Sequence, residues 1–306
     1  MSIQAPVKSK LTILKSSSLK QVPWLVHGFS TRSGGVSSVY GGGALNLGYT
    51  KHDSNSAVAE NRRRFFKKLG LRGSSWSLVT LRQIHSDLIH KIDRPPDHAL
   101  TGDGVVTDAP ELLLAIQTAD CLPVMLVDPR KRAVGVFHAG WRGTVQRIVE
   151  KGVGEMQRWF GTRPRDLRAA IGPGVHACCY EVGEEVRTRF ESQFAYAAEL
   201  FTELKESDPV REKYPLLFLT ARAPGHSDLP FKLFLDLVKA NRRQLQDAGV
   251  PEKSITASSL CTSCRSDLLF SYRKERGVTG RLLGVAGIRP PGNRCYRNSV
   301  CSCSPK

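Results

Sequence analysis

The feature that most limits how this chain can fold is a set of short apolar runs that do not alternate with polar residues. They lie at 104–107, 112–117, 123–127, 133–139 and 167–172, with further strand candidates at 268–273 and 281–288. Unbroken apolar strands are covered on both faces, so the sheets they form must be sandwiched between other layers. Three amphipathic helices can supply those layers. The first opens on Asp53 or Ser54, carries Val58, Phe65 and Leu69 on one face, and ends at Gly70. The second opens on Thr144, follows Val145, Ile148, Val149, Val153, Met156 and Phe160 at helical spacing, and stops at Gly161. The third spans 231–248 and sets Leu235, Val238 and Leu245 together before Gly249. Strands and helices do not strictly alternate, and no GxGxxG fingerprint is present. The predicted fold class is therefore an α/β (α+β-like) sandwich with a mixed or largely antiparallel sheet, not a Rossmann fold.

Nothing in the body of the chain marks a domain break. With 306 residues, 41% hydrophobic and 24% charged, the composition is that of a globular protein. The expected organisation is a flexible basic extension over 1–21, one catalytic domain over 22–289, and a flexible cysteine-containing tail over 290–306. Lys and Arg number 45 against 28 Asp and Glu, a net charge of +17. Much of the excess sits at the ends: six basic residues precede the first acid, Asp53, and four lie in 289–306 with no acid. No basic helix face, aromatic RNA motif or zinc finger accompanies the charge, so phosphate-bearing ligands are favoured over specific nucleic acid. The longest apolar runs, near 112–116 and 122–127, fall well short of the ~20 residues of a membrane span. Lys8, Lys10 and Lys15 interrupt any secretory core. The reading is of a cytoplasmic protein without membrane contact, whose eight cysteines are thiols, metal ligands or nucleophiles.

Reactive side chains break into the apolar strands at three places: His85 in RQIHSD, Asp120-Cys121 in TADCLPV, and His138 in HAGWRGT. Two histidines and a cysteine make a three-ligand zinc set that leaves one position for water or substrate. The same residues also fit a Cys121 nucleophile activated by His138, with Asp120 or Asp103 orienting the imidazole. As buried residues satisfied by backbone hydrogen bonds, they fit an ordinary core as well. HAGWRGT places Arg142 between Gly140 and Gly143 beside an expected helix start, where a guanidinium can grip phosphate in two hydrogen bonds. Arg32 beside Gly34 and Gly35 makes a similar offer, and Asn46 in ALNLG can read a base or ribose edge. Cys178 and Cys179 are expected to pack near the pocket. Cys261 and Cys264 have a CxxC spacing, which without a second pair beside it is a weak zinc signal and otherwise a turn.

In order along the chain, HGFSTRSGGVS, LNLGY, ENRRRFFKKLGL, RQIHSD, DGVVTD, TADCLPVMLVD, HAGWRGT, AAIGPGVHACCYEVGEEV and CTSCRSDLLFSYRKERGVTGR resemble the YfiH or PgeF family. Its members have been called laccase-domain proteins or multicopper polyphenol oxidases and are understood as zinc-dependent purine nucleoside phosphorylases with adenosine deaminase activity. The resemblance covers about Val26 to Arg281. It implies a fold like the catalytic domain of cytotoxic necrotizing factor toxins, with His85, Cys121 and His138 at the positions of the zinc ligands. It also implies one zinc per chain and cleavage of adenosine, inosine, guanosine or methylthioadenosine with phosphate. Arg32, Asn46 and Arg142 are the expected nucleoside or phosphate contacts, and Asp120 an acid/base or supporting group. Copper is not expected, because a multicopper centre needs several His-rich sites and no His-x-His pair occurs. His176 departs from the small residue usual in the family and is expected to lie in a loop. The expected assembly is a monomer or weak homo-oligomer. The competing readings are a Cys-His hydrolase acting on a peptidoglycan precursor, a polyphenol oxidase, and a basic binding protein that uses the cysteine tail.

Overall fold

The unbroken apolar strands are covered on both sides, as their sequences require. The computed structural model describes residues 10–71, 75–205 and 231–291. In chain order these form β1 (Ile13–Leu14), β2 (Leu25–Ser30), β3 (Ser33–Ser37), α1 (Asn55–Lys68), β4 (Ser77–Thr80), β5 (Ile89–Lys91), β6 (Gly104–Thr107), β7 (Leu112–Thr118), β8 (Leu122–Asp128) and β9 (Ala133–Ala139). Then come α2 (Trp141–Val145), α3 (Ile148–Phe160), β10 (Arg168–Ile171), β11 (Glu181–Val182), α4 (Glu184–Glu191), β12 (Phe201–Lys205), β13 (Phe231–Leu235), α5 (Leu237–Asp247), β14 (Ile255–Ala257) and β15 (Leu282–Ile288).

Two sheets pack face to face. The first has the order β1-β2-β15-β7-β4 and the second β14-β10-β8-β9-β6-β5. Most pairs are antiparallel, while β4–β7, β5–β6 and β10–β14 are parallel. Strand periodicity sorts the side chains into layers. From β7, Leu112, Leu114 and Ile116 point into the inter-sheet core, where Met125 and Val127 of β8 and Val134 and Val136 of β9 meet them. The opposite residues of β7, Leu113 and Ala115, join Leu283 and Val285 under Phe65 of α1. Leu122, Val124 and Leu126 of β8 and Phe137 of β9 face outward against Val149, Val153 and Met156 of α3 and Leu237 and Leu245 of α5. The result is a helix–sheet–sheet–helix sandwich of mixed α+β class, as the sequence predicts. A small third sheet, β11-β13-β12, flanks it.

Several local expectations change. Ser54 is the cap of α1, accepting from the Ala57 amide at 3.2 Å. Thr144 does not cap the next helix. It sits inside the short α2, fully buried, where Asn241 donates to its hydroxyl at 3.0 Å, and Arg147 in the left-handed region (φ 64°) separates α2 from α3. The expected helix over 231–248 is divided: Phe231–Leu235 is a strand between β11 and β12, and only the part after Asp236, whose carboxylate caps the Lys239 amide at 2.8 Å, is helical. Residues 268–273 form turns rather than a strand. Leu269 and Phe270 are buried by packing, while their segment makes turn hydrogen bonds to Arg265 and beyond. The ordered body begins before Val22, because β1 pairs with β2 and Leu19 is fully buried in the inter-sheet core. Most of the expected tail, from residue 292 on, lies outside the described residues.

Candidate active site

Three strand ends deliver the reactive residues to one cleft. Cys121 lies between β7 and β8, His138 is the second-to-last residue of β9, and His85 is in the loop after β4. Their ligand atoms all lie within 4.8 Å of one another, and the two imidazoles meet edge to face with centroids 4.9 Å apart. Gly140 leaves the necessary space: a Cβ there would stand 2.8 Å from Cys121 Sγ and 3.2 Å from His85 Cδ2. Any side chain would press on two of the three residues at once.

Asp103, fully buried at the start of β6, organises the group. Its carboxylate faces His138 Nδ1 at 2.7 Å and accepts from the amides of Ile84 (3.1 Å), His85 (3.0 Å) and Ser86 (2.7 Å) and from the Ser86 hydroxyl (2.8 Å). One carboxylate thus fixes the imidazole of one residue of the cluster and the backbone of another. With Nδ1 held, His138 turns Nε2 toward Cys121. Burial alone pushes the Asp103 carboxyl up, but the His138 and Ser86 hydrogen bonds hold it down at about 2. Burial likewise disfavours the Cys121 thiolate, yet the charges and hydrogen bonds of His138 and His85 bring that thiol down to about 6. His138 is raised to about 9, because Cys121 and Asp103 outweigh the burial that would lower it. Each of the pair thus favours the charged form of the other.

Asp120, expected as an acid/base or supporting group, is engaged in holding the backbone around Cys121. It adopts φ 103°, costly for a residue with a Cβ. The strain is held by three bonds: Thr262 Oγ1 donates to Oδ1 at 2.6 Å, the Arg273 amide to Oδ2 at 2.7 Å, and the Val175 amide to its carbonyl at 2.8 Å. Both carboxylate oxygens are thus occupied in tying two distant loops to the residue that precedes Cys121.

The cleft, of about 720 Å³, is lined by His85, Cys121 and His138 together with Arg82, Gln83, Gln117, Trp141, Arg142, Tyr180, Tyr272, Arg273 and Arg281. Arg142, exposed, lies with its guanidinium 4.4 Å over the Trp141 ring. Arg273 lies over Tyr180 at 5.1 Å. Burial and the nearby Cys121 push Tyr180 upward, so its phenol stays a proton donor. Of the other predicted contacts, Arg32 and Asn46 do not line the cleft. Arg32 donates to the carbonyls of Ser266 and Tyr40 and to Glu275 at 3.0 Å. Asn46, fully buried, donates to Gly48 O and Asp53 and accepts from the amides of Gly48 and Arg281. Both hold the loops behind the site. His176 lies in a turn, as expected, half-buried, with Nε2 enclosed and unpartnered among the described residues. The sequence reading did not name Tyr180, Arg273 and Arg281. Only the basic, aromatic character of CCYEV and SYRKERGVTGR hinted at them.

A family defined as multi-copper polyphenol oxidoreductase laccase matches residues 26–289, which includes every residue of this cleft. The chain belongs to that family. Within it, the chain is 35% identical over 273 residues to a protein of Geobacillus stearothermophilus named purine nucleoside phosphorylase YlmD, covering 86% of this chain and 90% of that one. It is 33% identical to a protein from an unknown prokaryotic organism named adenosine deaminase RL5, covering 84% and 91%. The crystal structure of Bacillus licheniformis hypothetical protein YfiH superposes with a TM-score of 0.74 at 33% identity, covering 88% of this chain and 95% of that one. The YfiH-like fold expected from the sequence is thus the fold of this laccase-family chain. Among its described residues, no helix is long and apolar enough to cross a membrane.

Proposed function

We propose that the chain is a zinc-dependent purine nucleoside phosphorylase that also deaminates adenosine. One observation carries the reading: a His85–Cys121–His138 set with room for a further ligand opens onto a cleft that has four arginines and no carboxylate other than the fully engaged Asp120. Such a cleft suits an anion. The named relatives support a reaction on nucleosides. The donor set suits zinc, since one thiolate and two imidazoles are its usual ligands in sites with an open position. A multicopper centre needs more histidines than the two that line this cleft. When bound, zinc supplies Lewis acidity at neutral pH.

The chain's own residues do the rest. Arg142, Arg273 and Arg281 hold phosphate against the anomeric carbon, where positive charge develops as the glycosidic bond breaks. Trp141, Tyr180 and Tyr272 flank the base and exclude water, and Asp103 keeps His138 oriented. The protein acts in the cytoplasm as a monomer or weak homo-oligomer on free nucleosides. The test is chromatographic: with adenosine and phosphate, metal-loaded protein is expected to release adenine and ribose 1-phosphate, and to form inosine without phosphate. No product from adenosine, inosine, guanosine or methylthioadenosine would refute the reading.

The Cys121–His138–Asp103 alignment favours a second reading, a thiol hydrolase, because a thiolate, an imidazolium and an orienting carboxylate stand in the order such enzymes use. Protein purified without a polyhistidine tag decides between them. Metal at Cys121 supports the phosphorylase, while metal-free protein rapidly alkylated at Cys121 supports the hydrolase.

A further inference from the structure

Four cysteines from two distant segments converge on the far side of Asp120. Cys178 and Cys179 lie in the turn before β11, and Cys261 and Cys264 in the turn after β14. Their four Sγ atoms all lie within 4.8 Å of one another. Cys178 and Cys179 stand 3.5 and 3.3 Å from Cys264, and the His176 amide donates to Cys261 Sγ at 3.5 Å. We infer that these four thiolates bind a second zinc ion, a closed tetrathiolate site separate from the catalytic triad.

The distances favour this over the alternatives. Zinc–sulfur bonds of about 2.3 Å in a tetrahedron place neighbouring sulfurs about 3.8 Å apart. The separations of 3.5 and 3.3 Å lie a little below that value and the remaining ones reach no further than 4.8 Å, so side-chain rotations complete the shell. A disulfide needs sulfurs about 2.05 Å apart and can satisfy only two of the four. An iron–sulfur cluster spreads its thiolates around several metal atoms, whereas here all four crowd one point. An amide bond to a sulfur is the support that a ligating thiolate takes from its second shell.

The position gives the ion a purpose. Strand-like pairing already joins the two turns at Gly174 and Cys261, and the Thr262 amide donates to Gly174 O at 2.9 Å. Thr262 and Val175, one from each turn, both hold Asp120, and Tyr180 follows Cys179 into the cleft. A zinc ion here staples the cleft's outer wall to the residue beside Cys121. The site has no open position, so its role is structural.

The inference rests on the sulfur geometry and not on the nucleoside reading, and its test measures metal rather than turnover. Untagged full-length protein, purified under reducing conditions, is expected to hold two zinc ions per chain by elemental mass spectrometry. Cys264→Ser and the double substitution Cys178→Ser/Cys179→Ser should each leave one, and so should Cys121→Ala, by losing the other ion. Cobalt loaded into Cys121→Ala should give the thiolate charge-transfer absorption of a tetrahedral sulfur site, and Cys264→Ser in the same background should abolish it. A Cys264→Ser variant with unchanged metal content, or no such absorption in Cys121→Ala, would overturn the proposal. If the serine variants do not fold, alkylation of the native parent decides: Cys178 and Cys264, both exposed, should resist iodoacetamide until a chelator is added. Peptide mapping that finds them modified at once, or joined in a disulfide, would count against the site.

Discussion

The molecule carries two clusters of soft donor side chains whose differences are instructive. At the cleft, one cysteine and two histidines leave a side open, Asp103 tunes one imidazole, and arginines line the approach. At the turns, four cysteines close around a point. An incomplete shell keeps a position for a reacting molecule, and a complete one keeps only geometry. The first cluster is drawn from strand ends of the central sheets and the second from turns, so chemistry rests on the rigid frame while the staple fastens the loops around it.

The largest effects should come from the open cluster. Cys121→Ala and His138→Ala should each remove the cleft metal and lower nucleoside turnover at least ~1,000-fold while circular dichroism stays that of a folded protein; comparable turnover in metal-depleted variants would break the contrast. Arg142→Ala should raise the phosphate requirement of phosphorolysis roughly 30- to 150-fold, the equivalent of about 2–3 kcal/mol for a charged contact, and leave deamination much less affected. Equal loss in both reactions would mean that Arg142 supports the cleft generally. Asp103→Asn should weaken cleft metal binding by about 10- to 100-fold, measured by chelator competition, with the tetrathiolate metal retained.

Cys264→Ser should sharpen the comparison from the other side. Turnover at saturating substrate should change by less than about threefold, while Tm falls by roughly 5 °C. A turnover loss as large as that of Cys121→Ala would give both clusters the same role.

An effect seen only on acidification separates metal release from the acid sensitivity of the fold itself. His27 in β2 is buried, and burial, with Lys15 and Lys20 nearby, lowers it to about 4. The unfolded chain therefore binds a proton near pH 6.5 that the folded chain refuses until about pH 4. Stability is intact above pH 6.5 and declines as pH falls toward 4, by up to about 3 kcal/mol. His27→Gln should flatten that part of the stability curve in urea titrations. An unchanged curve would place the acid sensitivity elsewhere.

Much of this was readable from sequence where one physical cause dominates. Strands buried on both faces must be apolar throughout, so β6, β7, β8, β9 and β15 are legible within about a residue. The His85–Cys121–His138 cluster is legible in part: Cys121 between β7 and β8 and His138 in β9 stand out against apolar runs, while His85 lies in the loop after β4. Boundaries failed where sequence carries no signal for them. Nothing in Arg147 announces a left-handed residue that splits one amphipathic pattern into α2 and α3. The apolar spacing of FKLFL suits either a helix or a strand, and pairing with β11 and β12 decides it. Arg32 and Asn46 look like ligand readers because their residue types bind ligands, yet the same donors serve loops equally well. Cys178 and Cys264, 86 residues apart, form a cluster that only the folded chain brings together.

The place of β15 bears on how the protein is made. Leu282–Ile288 is the last strand among the described residues but lies inside the five-stranded sheet, between β2 and β7. Until it inserts, β1–β2 and β7–β4 are separate pieces with unpaired edges, and Leu283 and Val285 leave a gap in the layer under α1. Arg281, which enters immediately before it, brings its guanidinium to the cleft at the same moment. A nascent chain can therefore place all three triad residues yet hold no finished site until its final strand docks. Pairing over such long sequence separations is slow, and the waiting edges are sticky. Synthesis rate and chaperone access should thus govern the yield of active protein, and a separately supplied 281–288 peptide is a natural candidate to complete a chain cut before it.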